Sequence, residues 1–489
     1  MGGANRDPAG SDKTGADRIR ILEFQADQLR RELERLEKQH AEAVYSVAWH
    51  AAWPIRFVER AIRRLFAPAQ ARPAETPEPA SPAPRARAMQ KAPPARLLID
   101  VTAIVAHDDK TGIQRVVRQV VRALYAEDVS RSAAPQDAAP QDAARQTLVP
   151  VAVRLQDGRL WTCEAYVASE TGRPTAGPDR PLAIESGDRL LMLDNSWGNF
   201  AAFAGVFEDI RRNGGEIVSC IYDLIPQLYK GASVGAVPQV HLAWLKAALL
   251  ESDVMIAISR TVAEELLAFV AAHDLPHRAG LKIGWFHCGS DIAPAGAGAP
   301  APAVAAAFAG PAPTFLLVGT LEPRKGHAIA LAAFDALWRD GVDARLVFIG
   351  RRGWHVEAIV DDMMASPEFG GRLHWFDAAG DADLAYAYDH CAAALAPSYA
   401  EGFGLPVAEA AWRGKPALCS DIPVFREIGG EGALYFRVND SAALANLVHD
   451  FLAGRKKADP ARVVRPTWRQ AALRIVDIVA RGDWLAILP

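Results

Sequence analysis

The chain has 489 residues, of which 50% are hydrophobic and 23% are charged, so it is long enough to form two hydrophobic cores. Its formal net charge is −4, which gives no overall electrostatic reason to expect a nucleic-acid partner. The five cysteines lack the paired spacing of a zinc site, and no uncharged apolar run reaches the roughly 18 residues needed to cross a bilayer. We therefore expect a cytoplasmic globular protein with buried thiols and no metal.

The N-terminal region is expected to lie outside the folded body. Residues 1–17 are polar and predicted to be disordered, and residues 67–95 are rich in proline and alanine, which predicts an extended linker. Between them, residues 18–66 combine a heptad pattern with a short basic helix that carries aromatic side chains. The heptads favour a homo-oligomeric coiled coil over one long helix packed on the same protein. The basic helix fits either peripheral contact with the inner face of the cytoplasmic membrane or docking on the body.

The first folded domain is predicted over residues 96–292. It opens with a buried apolar strand, and a loop containing Gly112 leads from this strand into a helix. No Gly-x-Gly-x-x-Gly fingerprint accompanies this unit, which argues against a dehydrogenase. Two later strands end in polar residues, Asp194 in one case and Tyr222 with Asp223 in the other. Ligands of parallel sheets bind at such strand ends, so these residues are acceptor-site candidates, although Asp223 also fits a helix cap.

The second folded domain is predicted over residues 314–465, after an Ala/Gly/Pro-rich hinge linker at 293–313. Apolar strands and helical segments alternate throughout it, which predicts βα units on a parallel sheet. Arg324 and Lys325 follow its first strand. Two adjacent cations at the carboxyl end of a strand are suited to a diphosphate, whereas solvated surface charge is the alternative reading.

The segment YAEGFGLPVAEAAW combines two carboxylates and two glycines with a helix start. Pro406 suits the first position of a helix, which leaves Gly402 and Gly404 in the entry loop and Glu409 in the first turn. A helix N-terminus attracts phosphate, and glycines allow a ligand to approach the main chain. Glu401 and Glu409 would flank that ligand. An ordinary glycine-rich turn with a glutamate near the helix dipole explains the same residues without a ligand.

Three segments, EGFGLPVAEA, EPRKG and TGIQRVVR, resemble retaining glycosyltransferases of family 4, in the subgroup with a TGIQRV-type N-terminal loop. The resemblance covers about residues 96–485. It implies the GT-B fold, which is α/β with two Rossmann-like doubly wound domains facing a cleft. It also implies that a C-terminal helix within 466–489 crosses back to the first domain.

The resemblance implies a metal-independent enzyme without a cofactor. A hexosyl group, with mannosyl as the candidate, would move from a nucleoside diphosphate sugar to a hydroxyl of a glycan or lipid-linked acceptor in surface polysaccharide biosynthesis. Arg324 and Lys325 would bind the diphosphate, Glu401 the transferred sugar and Glu409 the ribose. Tyr222 stands where many members have histidine. The other implied donor-binding residues are Gly112, Gly402, Phe403, Gly404 and Leu405.

Two alternatives remain for a chain with these motifs. A nucleotide-sugar epimerase can share the fold and would need no acceptor. A non-catalytic scaffold subunit would keep the fold and would be expected to lose some of the charged residues, all of which are present here.

Overall fold

The structure is a computed structural model that describes residues 95–126, 148–229, 231–233, 235–292 and 298–489. The predicted disordered start, coiled coil, basic helix and nearly all of the Pro/Ala-rich linker lie outside these residues. None of the helices in the described ranges is long and apolar enough to span a membrane.

An eight-stranded sheet forms the core of the first domain, in the order β3-β2-β1-β4-β5-β6-β7-β14. Its strands are parallel except for β3 and β14 at the two edges. The inner strands are continuous apolar runs because helices cover both faces, and Leu98 and Ile99 are fully buried. The strands are β1 Arg96–Asp100, β2 Val149–Gln156, β3 Arg159–Thr162, β4 Arg189–Met192, β5 Glu216–Ile221, β6 Val254–Ala257, β7 Lys282–Trp285 and β14 Ala486–Ile487.

Seven helices of the first domain connect these strands within the described residues. Capping explains two of their starts, because Thr111 caps α2 in a capping box with Gln114, and the Ser259 hydroxyl accepts from Val262 N in α7. The helices are α1 Thr102–Ala106, α2 Gly112–Tyr125, α3 Glu164–Thr171, α4 Ala204–Arg212, α5 Ile225–Leu228, α6 Val237–Glu251 and α7 Arg260–Ala272.

A six-stranded, wholly parallel sheet forms the second domain, in the order β10-β9-β8-β11-β12-β13. The chain moves outward from β8 in one direction and then from β11 in the other. Ligands of doubly wound sheets bind at this switch point, beyond the carboxyl ends of the two strands. The strands are β8 Thr314–Val318, β9 Arg345–Ile349, β10 Leu373–Phe376, β11 Ala393–Ala396, β12 Ala417–Ser420 and β13 Leu434–Phe436.

The helices of the second half include one that the sequence analysis assigns to the hinge linker. Residues 302–307 instead form α8, because Val304 and the following Phe308 are apolar and pack into the second core beside Tyr388. The helices are α8 Pro302–Ala307, α9 His327–Arg339, α10 Glu357–Ala365, α11 Asp381–His390, α12 Leu405–Trp412, α13 Pro423–Gly429, α14 Ser441–Leu452 and α15 Trp468–Arg481.

The two domains share one hydrophobic cluster, in which Phe403 and Phe425 of the second domain join the apolar residues of the first sheet. The C-terminal helix α15 lies against the first domain: a side chain at Gly284 would collide with Ile478, 2.6 Å away. All five cysteines are buried and free, as expected for apolar strand and core positions. The structure thus confirms two parallel α/β domains.

Polar contacts also join the domains. The carboxylate of Glu427 on α13 accepts from the backbone N of Arg260 and of Thr261 at the start of α7, at 2.8 and 2.7 Å. Its Oε1 also lies 2.6 Å from His287 Nε2. A carboxylate at a helix N-terminus is favourable because it satisfies free N–H groups and opposes the dipole.

Candidate functional site

The candidate site lies at the switch point of the second sheet. Arg324 and Lys325 occupy a short 3₁₀ turn soon after β8, and Glu401 follows β11. Gly326 allows the two loops to approach, because a Cβ there would lie 2.2 Å from Pro397 O. Residues distant in sequence therefore meet because β8 and β11 are neighbours in the sheet.

A buried ion cluster forms where these loops meet. The Glu401 carboxylate accepts hydrogen bonds from Lys325 Nζ at 2.6 Å, from Arg324 Nη1 at 3.1 Å and from Ser398 Oγ at 2.7 Å. Arg324 Nε also lies 2.8 Å from Glu322 Oε2. The two cations predicted to face a diphosphate are thus paired with carboxylates in this structure.

Charge complementarity within this ion cluster determines which groups are ionised. Burial alone would raise the pKa of Glu401, but Lys325 and Arg324 outweigh burial and lower it to about 2. Burial opposes the charge of Arg324 too, yet Glu401 and Glu322 together raise its pKa above the usual value. Glu401 and Arg324 therefore both remain charged at neutral pH.

A pocket of about 230 Å³ adjoins the cluster, and its lining includes Lys325, Ser398, Glu401, Pro406 and Phe425. Because this volume includes space open to solvent, the enclosed part of the pocket is far smaller than a typical small-molecule site of roughly 300–1,000 Å³. The pocket alone would therefore enclose only part of a nucleotide sugar.

Helix α12 begins at Leu405, one residue before the predicted start, and Gly404 caps it with a φ of +98°. This left-handed conformation suits glycine, and a side chain there would collide with the Phe425 ring at 2.7 Å. A Cβ on Gly402 would lie 2.1 Å from Tyr222 O of the first domain. Packing within the protein therefore favours glycine at both positions, whether or not a ligand also approaches the main chain there.

Glu409 lies in the second turn of α12, and not in the first turn as the sequence analysis expects, because the helix starts earlier. Its side chain is 1% exposed and accepts a hydrogen bond from the Tyr388 hydroxyl at 2.9 Å. Arg115 of α2 places Nη2 2.7 Å from Glu409 Oε1, although this oxygen accepts no hydrogen bond of acceptable geometry. Burial raises the pKa of Glu409, and Arg115 and Tyr388 oppose the shift.

Arg115 belongs to the TGIQRVVR segment, but sequence analysis assigns it no role. Two features of the sequence could have indicated a role for Arg115. It is a cation near the start of a predicted helix, and it belongs to a segment that resembles the N-terminal loop of the family. Gly112, three residues earlier, is exposed at the start of α2, and a Cβ there would meet no atom within 4 Å.

Two acceptor-side candidates have structural partners. Asp194 accepts from Ile104 N at 2.6 Å and Asn195 N at 2.7 Å, and burial raises its pKa. The Tyr222 hydroxyl donates to Leu193 O at 2.7 Å within the core. These hydrogen bonds offset the cost of burying the polar groups of both residues.

Asp223 is the acceptor-side candidate whose pKa is affected by the charges of the ion cluster. It is half-buried, and it accepts from Ile225 N at 3.0 Å, which is a helix-start contact. Burial raises the pKa of Asp223, and Arg324 of the other domain partly offsets that effect.

The remaining donor-side candidates differ in their exposure. Phe403 is 2% exposed and packs in the shared core, with its ring 5.6 Å from that of His287. Leu405 is partly buried against the same core. Within the described ranges, no group of three or more histidine, cysteine, aspartate or glutamate side chains is arranged to bind a metal ion.

Comparison with known families bears on the domain that contains the ion cluster. Residues 305–462 match the family of glycosyl transferases group 1. Both the ion cluster and Glu409 lie inside the matched range. The two parallel α/β domains of the chain are consistent with the GT-B fold.

Proteins similar to this chain include the serotype-specific mannosyltransferase WbdA of Escherichia coli, 31% identical over 385 residues, which are 77% of this chain and 44% of WbdA. The chain therefore spans less than half of that relative. The O-antigen chain mannosyltransferase B of Escherichia coli is 35% identical over 27% of this chain and 34% of its own. A solved glycosyltransferase from Rickettsia africae ESF-5 is 13% identical, with a TM-score of 0.49 over 79% of this chain and 94% of that one.

Proposed function

We propose that this protein is a glycosyltransferase that moves a hexosyl group from a nucleoside diphosphate sugar to a hydroxyl of a glycan or lipid-linked acceptor. The observation that carries the proposal is the convergence of Arg324, Lys325 and the start of α12 at the switch point of the second sheet. The group 1 match supports the enzyme class. Two relatives are named as mannosyltransferases, which supports mannose as the sugar and surface polysaccharide as the product.

The proposed chemistry depends on stabilising the leaving group. Cleavage of the anomeric bond leaves negative charge on the diphosphate, and buried cations stabilise that charge more strongly than water does. Arginine can bind phosphate oxygens with two N–H groups, while lysine supplies a point charge. We expect the diphosphate to replace Glu401 as the partner of Arg324 and Lys325. Glu401 would then contact the transferred sugar, and the reaction would retain the anomeric configuration.

Ligand binding is the first test. Thermal shifts with UDP, GDP and ADP should reveal one preferred nucleotide, because a ligand bound only by the native state raises Tm by mass action. Arg324→Ala should reduce this shift, whereas Arg212→Ala, which alters an exposed arginine of α4, should retain it. Absence of a shift with all three nucleotides would contradict the proposal.

Turnover is the second test. Hexose donors of the preferred nucleotide, mannose first, are incubated with and without hydroxyl acceptors, and the anomeric configuration of the product is read by NMR. Acceptor-dependent release of nucleoside diphosphate is expected. An epimerised sugar without any acceptor would instead identify the epimerase.

A further inference from the structure

The buried carboxylate of Glu409 receives its positive counterion from the other domain. Glu409 is on α12 in the second domain, and Arg115 is on α2 in the first. Burying an unpaired carboxylate is costly, so its ionised form depends on an opposite charge nearby. Within the described residues, the groups whose charge or hydrogen bond most strongly affects Glu409 are Arg115, Tyr388 and Asp381, and only Arg115 is a cation.

The position of Arg115 is well defined. Thr111 and Gln114 form a capping box, and the Gln114 amide donates to His107 O at 2.5 Å, so the start of α2 is held in place. The loop before α2 also contacts the second domain, where Arg351 Nη1 donates to Asp109 O at 2.6 Å. Arg115 therefore lies near a helix end whose preceding loop is hydrogen-bonded to the second domain.

We propose that Arg115 of the first domain is a positioning residue for donor binding, because its contact across the domain boundary keeps Glu409 ionised and correctly oriented. This inference rests on the proposed function, and on the role that the family resemblance implies for Glu409, which is to accept hydrogen bonds from the donor ribose. The nucleotide contact belongs to the second domain, but its strength depends on a side chain of the first. Arg115 acts through Glu409 and not on the diphosphate.

The test measures the Kd of the preferred nucleoside diphosphate from pH 5.5 to 8.5 in full-length protein. Without Arg115, the pKa of Glu409 should rise, so Arg115→Ala should lose affinity increasingly as pH falls, by about tenfold at pH 6 relative to wild type. The nucleotide's own titration is common to both proteins and cancels in the ratio. Arg115→Gln removes the same charge and replaces Arg115→Ala if the latter does not fold.

Two controls separate this role from others. Arg122→Ala removes another arginine of α2, paired with Glu170 at 2.9 Å, and should leave the pH profile unchanged. In a Glu409→Gln background, Arg115→Ala should cause less than a twofold further loss, because its target is already neutral. If Arg115→Ala weakens nucleotide binding as much in the Glu409→Gln background as it does in wild type, Arg115 contacts the ligand directly and the inference is overturned.

Parallel pH profiles for wild type and Arg115→Ala would also overturn the inference, while leaving the proposed function intact. If wild-type protein binds none of the nucleoside diphosphates at any pH, the proposed function fails and this inference fails with it.

Discussion

Replacing Glu401 with glutamine tests the ion cluster directly. Glu401 is 9% exposed and accepts from Lys325, Arg324 and Ser398. The fall of its pKa from 4.5 to about 2 corresponds to about 3 kcal/mol in favour of the ionised form, at about 1.4 kcal/mol per pKa unit. Removing one member of a buried pair costs a similar amount, about 3 to 5 kcal/mol. We therefore expect Glu401→Gln to lower the free energy of unfolding by about 3 kcal/mol at pH 7.

Urea denaturation followed by tryptophan fluorescence measures this change. A two-domain chain can unfold in more than one step, so each resolved transition is fitted separately. The matched control is Glu368→Gln, which breaks the 2.6 Å pair with Arg372 on the surface and should cost less than about 1 kcal/mol.

The direction of the pKa shift determines how the stability contributed by Glu401 changes with pH. The folded pKa of Glu401 is depressed, so its stabilisation is present above its unfolded value near 4.5 and is lost as pH falls towards 2. The difference between wild type and Glu401→Gln should therefore shrink to about 2 kcal/mol at pH 3.5. A variant within 1 kcal/mol of wild type at pH 7, or a difference independent of pH, would refute this account of the cluster.

The same variant also tests function. Glutamine leaves Arg324 and Lys325 without their shared carboxylate, so affinity for free nucleoside diphosphate should not decrease. Turnover should fall by about tenfold or more, because contacts that strengthen as the sugar gains positive charge act on the transition state. Unchanged turnover would show that Glu401 is a structural residue only.

Further predictions concern the cations, the domain contact and the N-terminal region. Arg324→Ala and Lys325→Ala should weaken nucleoside diphosphate binding far more than nucleoside binding in calorimetric titrations, and equal losses would contradict a diphosphate contact. Gly402→Ala should lower Tm by several degrees, because its Cβ would lie 2.1 Å from a carbonyl oxygen of the other domain, whereas Gly198→Ala, with no atom within 4 Å, should not. Deletion of residues 1–95 should leave a folded, nucleotide-binding body with weaker self-association in sedimentation and weaker binding to anionic vesicles, whereas an insoluble product would contradict the linker prediction.

Local patterns in the sequence predict most of the second domain. The predicted alternation of apolar strands and helical segments is present in the structure, which includes strands at 373–376, 393–396 and 417–420 and a helix at 327–339. These elements are predictable because buried parallel strands and amphipathic helices differ in length and periodicity. The edge strands β3 and β14 were not predicted, since short strands paired on one side only have little apolar pattern.

The chain's own order also predicts that Arg324, Lys325 and Glu401 follow strands, and so that they share one edge of the sheet. It does not reveal that they are paired with one another, because the neighbouring positions of β8 and β11 follow from sheet order and not from spacing along the chain. The same limit applies to Gly402, whose partner Tyr222 belongs to another domain.

Arg115 and Glu409 show most clearly which properties the sequence determines and which depend on the tertiary structure. Each lies in a recognisable segment, and the residue types alone predict a cation near one helix start and a carboxylate near another. Their 2.7 Å contact depends on how two independently wound sheets face each other, which no local pattern encodes. Local sequence therefore specifies the elements and the chemical groups that they carry, whereas domain packing specifies which charges are buried together.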